Sequence, residues 1–132
     1  MSVSWQGVMP ALMTEFHQDG ALDLPSTQRH LDACIKAGID GVIVLGTLGE
    51  NSSLSQDEKA HVIAAAAETA AGRIPVIAGC AEYTTGLAIA AAKCAEAAGA
   101  GGLMALPCMV YEQDQREGVE HFRTLARNTA LP

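Results

Sequence analysis

The fold is decided by the stretch GVIVLGTLGEN (residues 41–51). Its first half is a continuous run of apolar, mostly β-branched residues, which is typical of a strand covered on both faces in a parallel sheet. Its second half is a loop that contains two glycines, a hydroxyl and a carboxylate. Ser55 and Glu58 follow at the spacing of a helix capping box. The stretch therefore predicts a strand, a loop and a helix, which is the repeating unit of parallel α/β proteins.

The loop in this stretch has the chemistry of a ligand-binding site. Ligands of parallel α/β proteins bind in loops at the C-terminal ends of the strands. Gly46 and Gly49 let the backbone approach a ligand closely, so that its N–H groups can hold an anion such as a carboxylate. No Gly-Lys-Ser/Thr closes the loop, which excludes a phosphate-binding P-loop. From the spacing alone, an ordinary strand-to-helix turn fits equally well.

Length, charge and cysteine pattern limit the class of protein. The 132 residues provide room for one domain, and the formal net charge of −7 argues against nucleic acid or an anionic membrane as partner. We find no signal-peptide pattern and no apolar run that spans a bilayer. The four cysteines lack metal-site spacing, and a reducing, cytoplasmic compartment is expected. Cys80 and Cys108 follow predicted strands, where a reactive thiol is the less expected alternative to a buried one.

The hydrophobic pattern predicts four consecutive βα units. The strands are expected at residues 7–13, 41–45, 75–78 and 102–106, and the helices at 25–37, 56–71, 85–98 and 115–128. Two architectures fit this order. One is an open, doubly wound domain, and the other is half of a (β/α)₈ barrel, which needs about 250 residues in full. Periodicity does not choose between them.

The motif around residue 47 resembles that of a known family. GTLGE (46–50), followed by Leu54-Ser55 and Glu58, is similar to the G-[TS]-T-G-E…L-[ST]-x-x-E signature of the dihydrodipicolinate synthase / N-acetylneuraminate lyase family. Further similar pieces stand in family order: ALMT (11–14), GRIPVIAG (72–79) and EHF (120–122). The resemblance implies a (β/α)₈ TIM barrel, with residues 1–132 as the N-terminal half of a lyase domain and its first four βα units.

The resemblance also implies an activity. Members of the family form a Schiff base between a lysine and pyruvate or a related 2-keto acid, without a cofactor. That lysine lies on a later strand in the family, so it is expected outside residues 1–132, and this chain alone is expected to be inactive. The lysines present here lie in helix patterns typical of a solvated surface: Lys36, Lys59 and Lys93. A non-catalytic open α/β small-molecule-binding domain is the alternative from another class.

Particular residues acquire roles through the resemblance. Thr47 is expected in a hydroxyl relay that moves protons to and from the imine, and the backbone N–H groups of Thr47 and Leu48 are expected to hold the substrate carboxylate. Ala11 is expected to contact the substrate. Tyr111 is expected to contribute to the relay, sometimes across a subunit interface, and a plain surface or interface tyrosine is the alternative, because its loop is longer than usual.

Two loops and one substitution indicate a branch of the family. Leu48 stands where threonine is commoner, and with EYTT (82–85) and LPCMVY (106–111) it resembles catabolic branches. These include pyrroline-4-hydroxy-2-carboxylate deaminases and keto-deoxy-sugar-acid dehydratases. Glu82 is expected to be a solvated loop carboxylate, with a substrate-facing role as the alternative, and Thr84 or Thr85 to cap the next helix. The four histidines share no face at ligand spacing, so no metal site is predicted.

The last expectation concerns topology and assembly. A half barrel has sequential strand order, with Thr47, Cys80 and Cys108 at one common end. It leaves the first and fourth strands without partners, which exposes backbone groups and apolar side chains. The chain is therefore expected to associate with a second copy or with the other half, and family members are commonly homodimers or homotetramers.

Overall fold

The computed structural model describes residues 3–108, 110 and 112–132. Helices and strands alternate along the chain. A short 3₁₀ helix, Asn51–Ser53, precedes the second α-helix. The elements in chain order are α1 (Leu24–Lys36), β1 (Val42–Val44), α2 (Gln56–Ala70), β2 (Val76–Cys80), α3 (Thr85–Ala97), β3 (Gly102–Ala105) and α4 (Gln115–Ala126).

The three strands form one parallel sheet in the order β1-β2-β3. Val42 is in register with Val76, and Ile77 with Gly102. The segment before α1 continues the order, because Ala11 forms a parallel bridge with Ile43 of β1. This sequential order confirms the half-barrel topology. It does not change direction, as the order of the doubly wound alternative would.

The predicted first strand at residues 7–13 is wrong as a strand and is reduced to that single bridge. The Leu12 N–H donates to the Ile43 carbonyl at 2.8 Å, and the Ile43 N–H donates to the Pro10 carbonyl at 2.9 Å. Pro10 has no N–H with which to extend the ladder. The Val8 N–H donates instead to the Asp40 carboxylate at 2.8 Å.

The other element ends follow local rules. β1 is shorter than predicted because Leu45 has a φ of 58°, which ends the extended backbone. β2 extends beyond the predicted range, to Cys80. The Ser55–Glu58 capping box begins α2, and the Thr84 side chain caps α3 as predicted. The helices agree with the predicted ranges within two residues at each end.

The helices cover one face of the sheet. The main core lies between α1, α2 and the first two strands, and includes Leu31, Val44 and Val62. A smaller cluster, made by Cys80, Ala88, Ala92 and Leu125, joins α3 and α4 to the sheet. Small alanine side chains let α3 lie close to the strands. Within the described ranges, no helix is long and apolar enough to cross a membrane.

Candidate active site

The loop after β1 is tightly folded. Leu45 and Glu50 have φ angles of 58° and 60°, a left-handed conformation that is unfavourable for residues with side chains. The Gly49 N–H donates to the Gly46 carbonyl at 3.0 Å, and a Cβ on Gly49 would lie 2.7 Å from the Leu45 nitrogen. Backbone strain of this kind is retained where the surroundings enforce it, often at functional sites.

Neighbouring elements hold this loop in place. On one side, the buried Thr14 hydroxyl donates to the Gly49 carbonyl at 2.8 Å. On the other, the Asn51 side-chain amide donates to the Gly79 carbonyl at 3.1 Å. Gly79 lies so close to the loop that a Cβ there would be 2.0 Å from the Leu45 carbonyl oxygen. The loop is therefore pressed against the C-terminal end of β2.

An inner pocket of about 40 Å³ opens at this end of the sheet. Thr47, which is exposed, and Cys80, which is buried, both line it. Cys108 follows β3, and because all three strands are parallel it lies at the same end of the sheet. The predicted common end for Thr47, Cys80 and Cys108 is therefore observed.

The loop offers free hydrogen-bond donors. The N–H groups of Gly49, Glu50 and Asn51 donate to carbonyls within the turn. In the described part of the chain, the N–H groups of Thr47 and Leu48 have no acceptor, and neither does the Thr47 hydroxyl. Two successive free amides beside a hydroxyl are suited to an anionic ligand such as a carboxylate.

The remaining predicted site residues are placed less centrally. Leu48 is 62% exposed and does not line the inner pocket. Ala11 is exposed and lies beside Ile43, on the segment that precedes α1. Tyr111 lies outside the described residues. The Glu50 carboxylate accepts a hydrogen bond from the Ser53 hydroxyl at 3.0 Å, which is a local turn contact.

The expectation that Lys59 lies on a solvated helix surface, and Glu82 in a solvated loop, is wrong. The Lys59 Nζ and the Glu82 Oε1 lie 2.7 Å apart, and their side chains are 8% and 9% exposed. The Gln56 side-chain amide donates to the same carboxylate oxygen at 3.4 Å. Lys36 and Lys93 are exposed, as predicted.

One feature of the sequence indicates the position of Lys59. It lies three, four and seven residues before Val62, Ile63 and Ala66, all of which are buried on the core face of α2. A lysine on that stripe is either buried or reaches past the stripe to solvent. Its partner, Glu82, lies in the loop after β2. The sequence alone does not identify this partner, because the pairing depends on how the loops after β1 and β2 pack together.

The ion pair lines a second pocket, which we call the outer pocket. Its volume is about 420 Å³, and it lies between the start of α2 and the loop after β2. Asn51, Ser52 and Ala81 line both the inner and the outer pocket, so they form the partition between them. Tyr83 and Val110 form an exposed apolar rim.

Cys80 is not a reactive thiol. Burial raises its pKa to about 11, the nearby Glu82 carboxylate adds to the rise, and the Lys59 ammonium opposes it. A thiol with such a pKa is almost fully protonated at neutral pH and is a poor nucleophile. Among the described residues, no group of three His, Cys, Asp or Glu side chains is placed to hold a metal ion.

Proteins of similar sequence align with almost the whole chain. The chain is 41% identical over 128 residues to a 4-hydroxy-tetrahydrodipicolinate synthase of Azoarcus sp. (strain BH72), with 96% of this chain and 43% of that protein aligned. It is 33% identical over 131 residues to the enzyme of the same name from Haloarcula marismortui, covering 42% of its length. The chain thus spans less than half of the length of these relatives.

Solved structures show the same fold. The 4-hydroxy-tetrahydrodipicolinate synthase of Methylacidiphilum fumariolicum SolV superimposes with a TM-score of 0.93 at 32% identity, over 98% of this chain and 43% of that one. YagE from E. coli K12, solved in complex with pyruvate, gives a TM-score of 0.92 at 30% identity, over 97% and 43%. The fold is therefore the N-terminal part of a TIM barrel. The Dihydrodipicolinate synthetase family model matches residues 4–132, and the chain belongs to that family.

Proposed function

We propose that residues 1–132 are the N-terminal half of a lyase domain that binds pyruvate or a related 2-keto acid at the loop of Thr47. The observation that carries this proposal is a pair of N–H groups, at Thr47 and Leu48, that have no acceptor among the described residues. They stand beside the Thr47 hydroxyl, which has no partner there either, at the C-terminal end of a parallel strand. The pyruvate complex of the similar protein YagE supports the choice of ligand.

The proposed mechanism divides the work between this chain and the rest of the barrel. The amides of Thr47 and Leu48 hold the substrate carboxylate, and Ala11 contributes to the surrounding wall. The Thr47 hydroxyl passes protons to and from the reacting carbon, with Tyr111 as the next group in the relay. The Schiff-base lysine belongs to the part of the family fold beyond residue 132, so this chain alone is inactive.

A titration of the ¹⁵N-labelled chain with pyruvate tests the binding role. We expect saturable shifts at the amides of Thr47 and Leu48 and none at Gly38, which lies after α1. Leu48→Pro removes one donor and should abolish the shift of the Thr47 amide, whereas Leu48→Ala keeps the donor and should preserve the shifts at both positions. Shifts of equal size throughout the chain would contradict the proposed site.

Borohydride reduction in the presence of pyruvate tests the division of work. We expect no covalent adduct on this chain, because Lys59 is paired with Glu82 and the exposed Lys36 and Lys93 lie on helices, away from the inner pocket. A stable adduct on any of these lysines would contradict the assignment of the Schiff base to a later strand.

Leu48 supports a more specific proposal, that the natural substrate belongs to a catabolic branch. Its exposed apolar side chain stands next to Thr47, where a hydroxyl is commoner in the family. We propose that the complete barrel is a pyrroline-4-hydroxy-2-carboxylate deaminase or a keto-deoxy-sugar-acid dehydratase. In a complete barrel, Leu48→Thr should change the preference among 2-keto acids and leave the affinity for pyruvate unchanged. An unchanged preference would remove the support that Leu48 provides.

Location and assembly complete the proposal. The four cysteines are free, which supports a reducing, cytoplasmic compartment.

We propose a homo-oligomer, because large apolar side chains, among them Tyr83, Leu87 and Phe122, are exposed.

A further inference from the structure

The segment Gly79–Glu82 stands between the two pockets. Cys80 and Ala81 line the inner pocket, and Ala81 and Glu82 line the outer pocket. The segment also contacts the Thr47 loop, because Gly79 lies directly against the Leu45 carbonyl. A displacement of this segment must therefore move Leu45, two residues before Thr47.

Polar contacts from the β1–α2 side hold both ends of the segment. At its start, the Asn51 side-chain amide donates to the Gly79 carbonyl at 3.1 Å. At its end, Lys59 pairs with Glu82 at 2.7 Å, and Gln56 donates to the same carboxylate at 3.4 Å. The three donors all come from one short stretch that contains the 3₁₀ helix and the first turn of α2.

A buried ion pair is a costly way to stabilise a fold. Desolvation of Lys59 and Glu82 offsets much of their attraction, and a well-packed apolar pair is often at least as stable. Unlike an apolar contact, the pair is directional, because a 2.7 Å ammonium–carboxylate contact fixes where both side chains lie. At this position the pair therefore contributes a fixed geometry more than it contributes stability.

We propose that the Lys59–Glu82 pair is a positioning device for the active site. It fixes the segment Gly79–Glu82, and through the contact of Gly79 with Leu45 it fixes the Thr47 loop and its free amides. Lys59 and Glu82 are positioning residues that do not touch the substrate. The inference rests on the proposed function for the meaning of the Thr47 loop, but the structural coupling is measurable without any ligand.

Four variants of the ¹⁵N-labelled chain separate positioning from stability. Lys59→Met and Glu82→Gln break or weaken the pair, and Lys59→Met/Glu82→Leu replaces it by an apolar contact. Lys36→Met is the matched control, because it removes the exposed Lys36–Asp32 pair of α1 with the same change of charge. The readouts are the urea unfolding midpoint and the amide shifts of Gly46, Thr47 and Leu48 without pyruvate.

We expect Lys59→Met to lower the midpoint, because it leaves a buried carboxylate unpaired, and the double variant to recover it. Lys59→Met should also shift the amide resonances of residues 46–48. These resonances should remain shifted in the double variant, because an apolar contact restores stability but does not fix the position of the segment Gly79–Glu82. Glu82→Gln keeps a hydrogen bond from Lys59 and should give a smaller shift, and it keeps the test valid if Lys59→Met does not fold. Lys36→Met should leave these amides unchanged.

A stable double variant with wild-type amide positions at residues 46–48 would overturn the proposal, since the pair would then be a replaceable packing element. A pyruvate titration of the same proteins adds an independent arm, in which the displaced amides should bind the carboxylate less well and weaken binding about tenfold in the double variant. If the wild-type chain shows no pyruvate binding while the amide shifts persist, the proposed function fails and the coupling stands. Equal pyruvate affinity in the wild-type and double-variant chains would overturn the positioning role.

Discussion

The two sides of the helical layer differ in how fully the chain covers them. Around α1, α2 and β1, Leu31 and Val62 are each 1% exposed, and the core is closed. Beside β3 and α4, Phe122 is 41% exposed and lines an apolar groove of about 240 Å³ with Leu103 and Leu125. The first side is packed by the chain itself, whereas the second presents the kind of surface that a further element covers.

The polar contacts of the two sides differ in the same way. On the closed side, Asn51 and Lys59 fasten the β1–α2 region to the end of β2. On the open side, the Leu103 N–H donates to the Pro132 carbonyl at 2.9 Å, in the direction in which another parallel strand would lie. This comparison supports the proposal that residues 1–132 are one part of a larger barrel, and it leads to four predictions.

The largest effect is expected from Gly79→Ala, which attacks the closed side at its tightest contact. The added Cβ would lie 2.0 Å from the Leu45 carbonyl oxygen, and neither backbone can yield easily. We expect the free energy of unfolding in urea to fall by about 5 kcal/mol or more. Gly86→Ala, in the first turn of α3 with open space around it, is the control and should be neutral or slightly stabilising. Similar losses in both variants would contradict the close approach.

Truncation of one leucine on each side measures the difference in packing directly. Leu31→Ala should cost about 4 kcal/mol, because it leaves a cavity in the closed core. Leu125→Ala should cost about 2 kcal/mol, because Leu125 lines the open groove and the vacated space is accessible to water. Urea unfolding of the two variants at equal concentration provides the comparison. An equal or larger cost for Leu125→Ala would show that the groove is closed in solution.

The Cys80 thiol, at the junction of the two sides, gives stability a pH dependence. Its pKa is raised from 9.0 to about 11 in the folded chain, so folding favours the protonated thiol. Its contribution to stability is therefore complete below pH 9 and is lost as the pH rises through 11. The loss should reach about 2 kcal/mol. Cys80→Ala lacks this thiol, and the difference between the two unfolding curves from pH 8 to 11 isolates the effect. Parallel curves would contradict the raised pKa.

Phe122→Gln should have the smallest effect on the stability of the folded monomer. It tests whether the open side mediates association. Because the ring is already partly exposed, we expect unfolding to change by less than about 0.5 kcal/mol. Association, measured by sedimentation equilibrium, should weaken about tenfold. Val119→Gln is the control, since Val119 is exposed on the same helix but does not line the groove. Equal weakening by both variants would mean that association does not use the groove.

The features that were predicted correctly depend on local interactions. The capping box of Ser55 and Glu58 joins residues three apart, and Thr84 caps α3 through the N–H of Leu87. The position of the loop that contains Thr47 is also predicted correctly, because its glycines lie within a few residues of the strand that ends there. Such interactions form within one turn of the chain, so the residues alone are sufficient to indicate them.

The features that were missed depend on residues far apart in the chain. Lys59 and Glu82 are 23 residues apart, and helix periodicity cannot say that the loop after β2 brings a carboxylate to a lysine on α2. The prediction of the first strand is wrong for a related reason. Its apolar pattern is strand-like, but Pro10 lacks a ladder donor and the Asp40 carboxylate takes the N–H of Val8, 32 residues away.

The sequence by itself determined the order of the βα units, the helix ends and the loop that carries Thr47, because short-range hydrogen bonds and hydrophobic periodicity specify them. The tertiary structure alone decided that Lys59 is buried against Glu82, that Gly79 presses on Leu45, and that the amides of Thr47 and Leu48 are left free in the described chain. These outcomes require two βα units to be packed together. The free energy that places each group comes from burial and contact across the sheet.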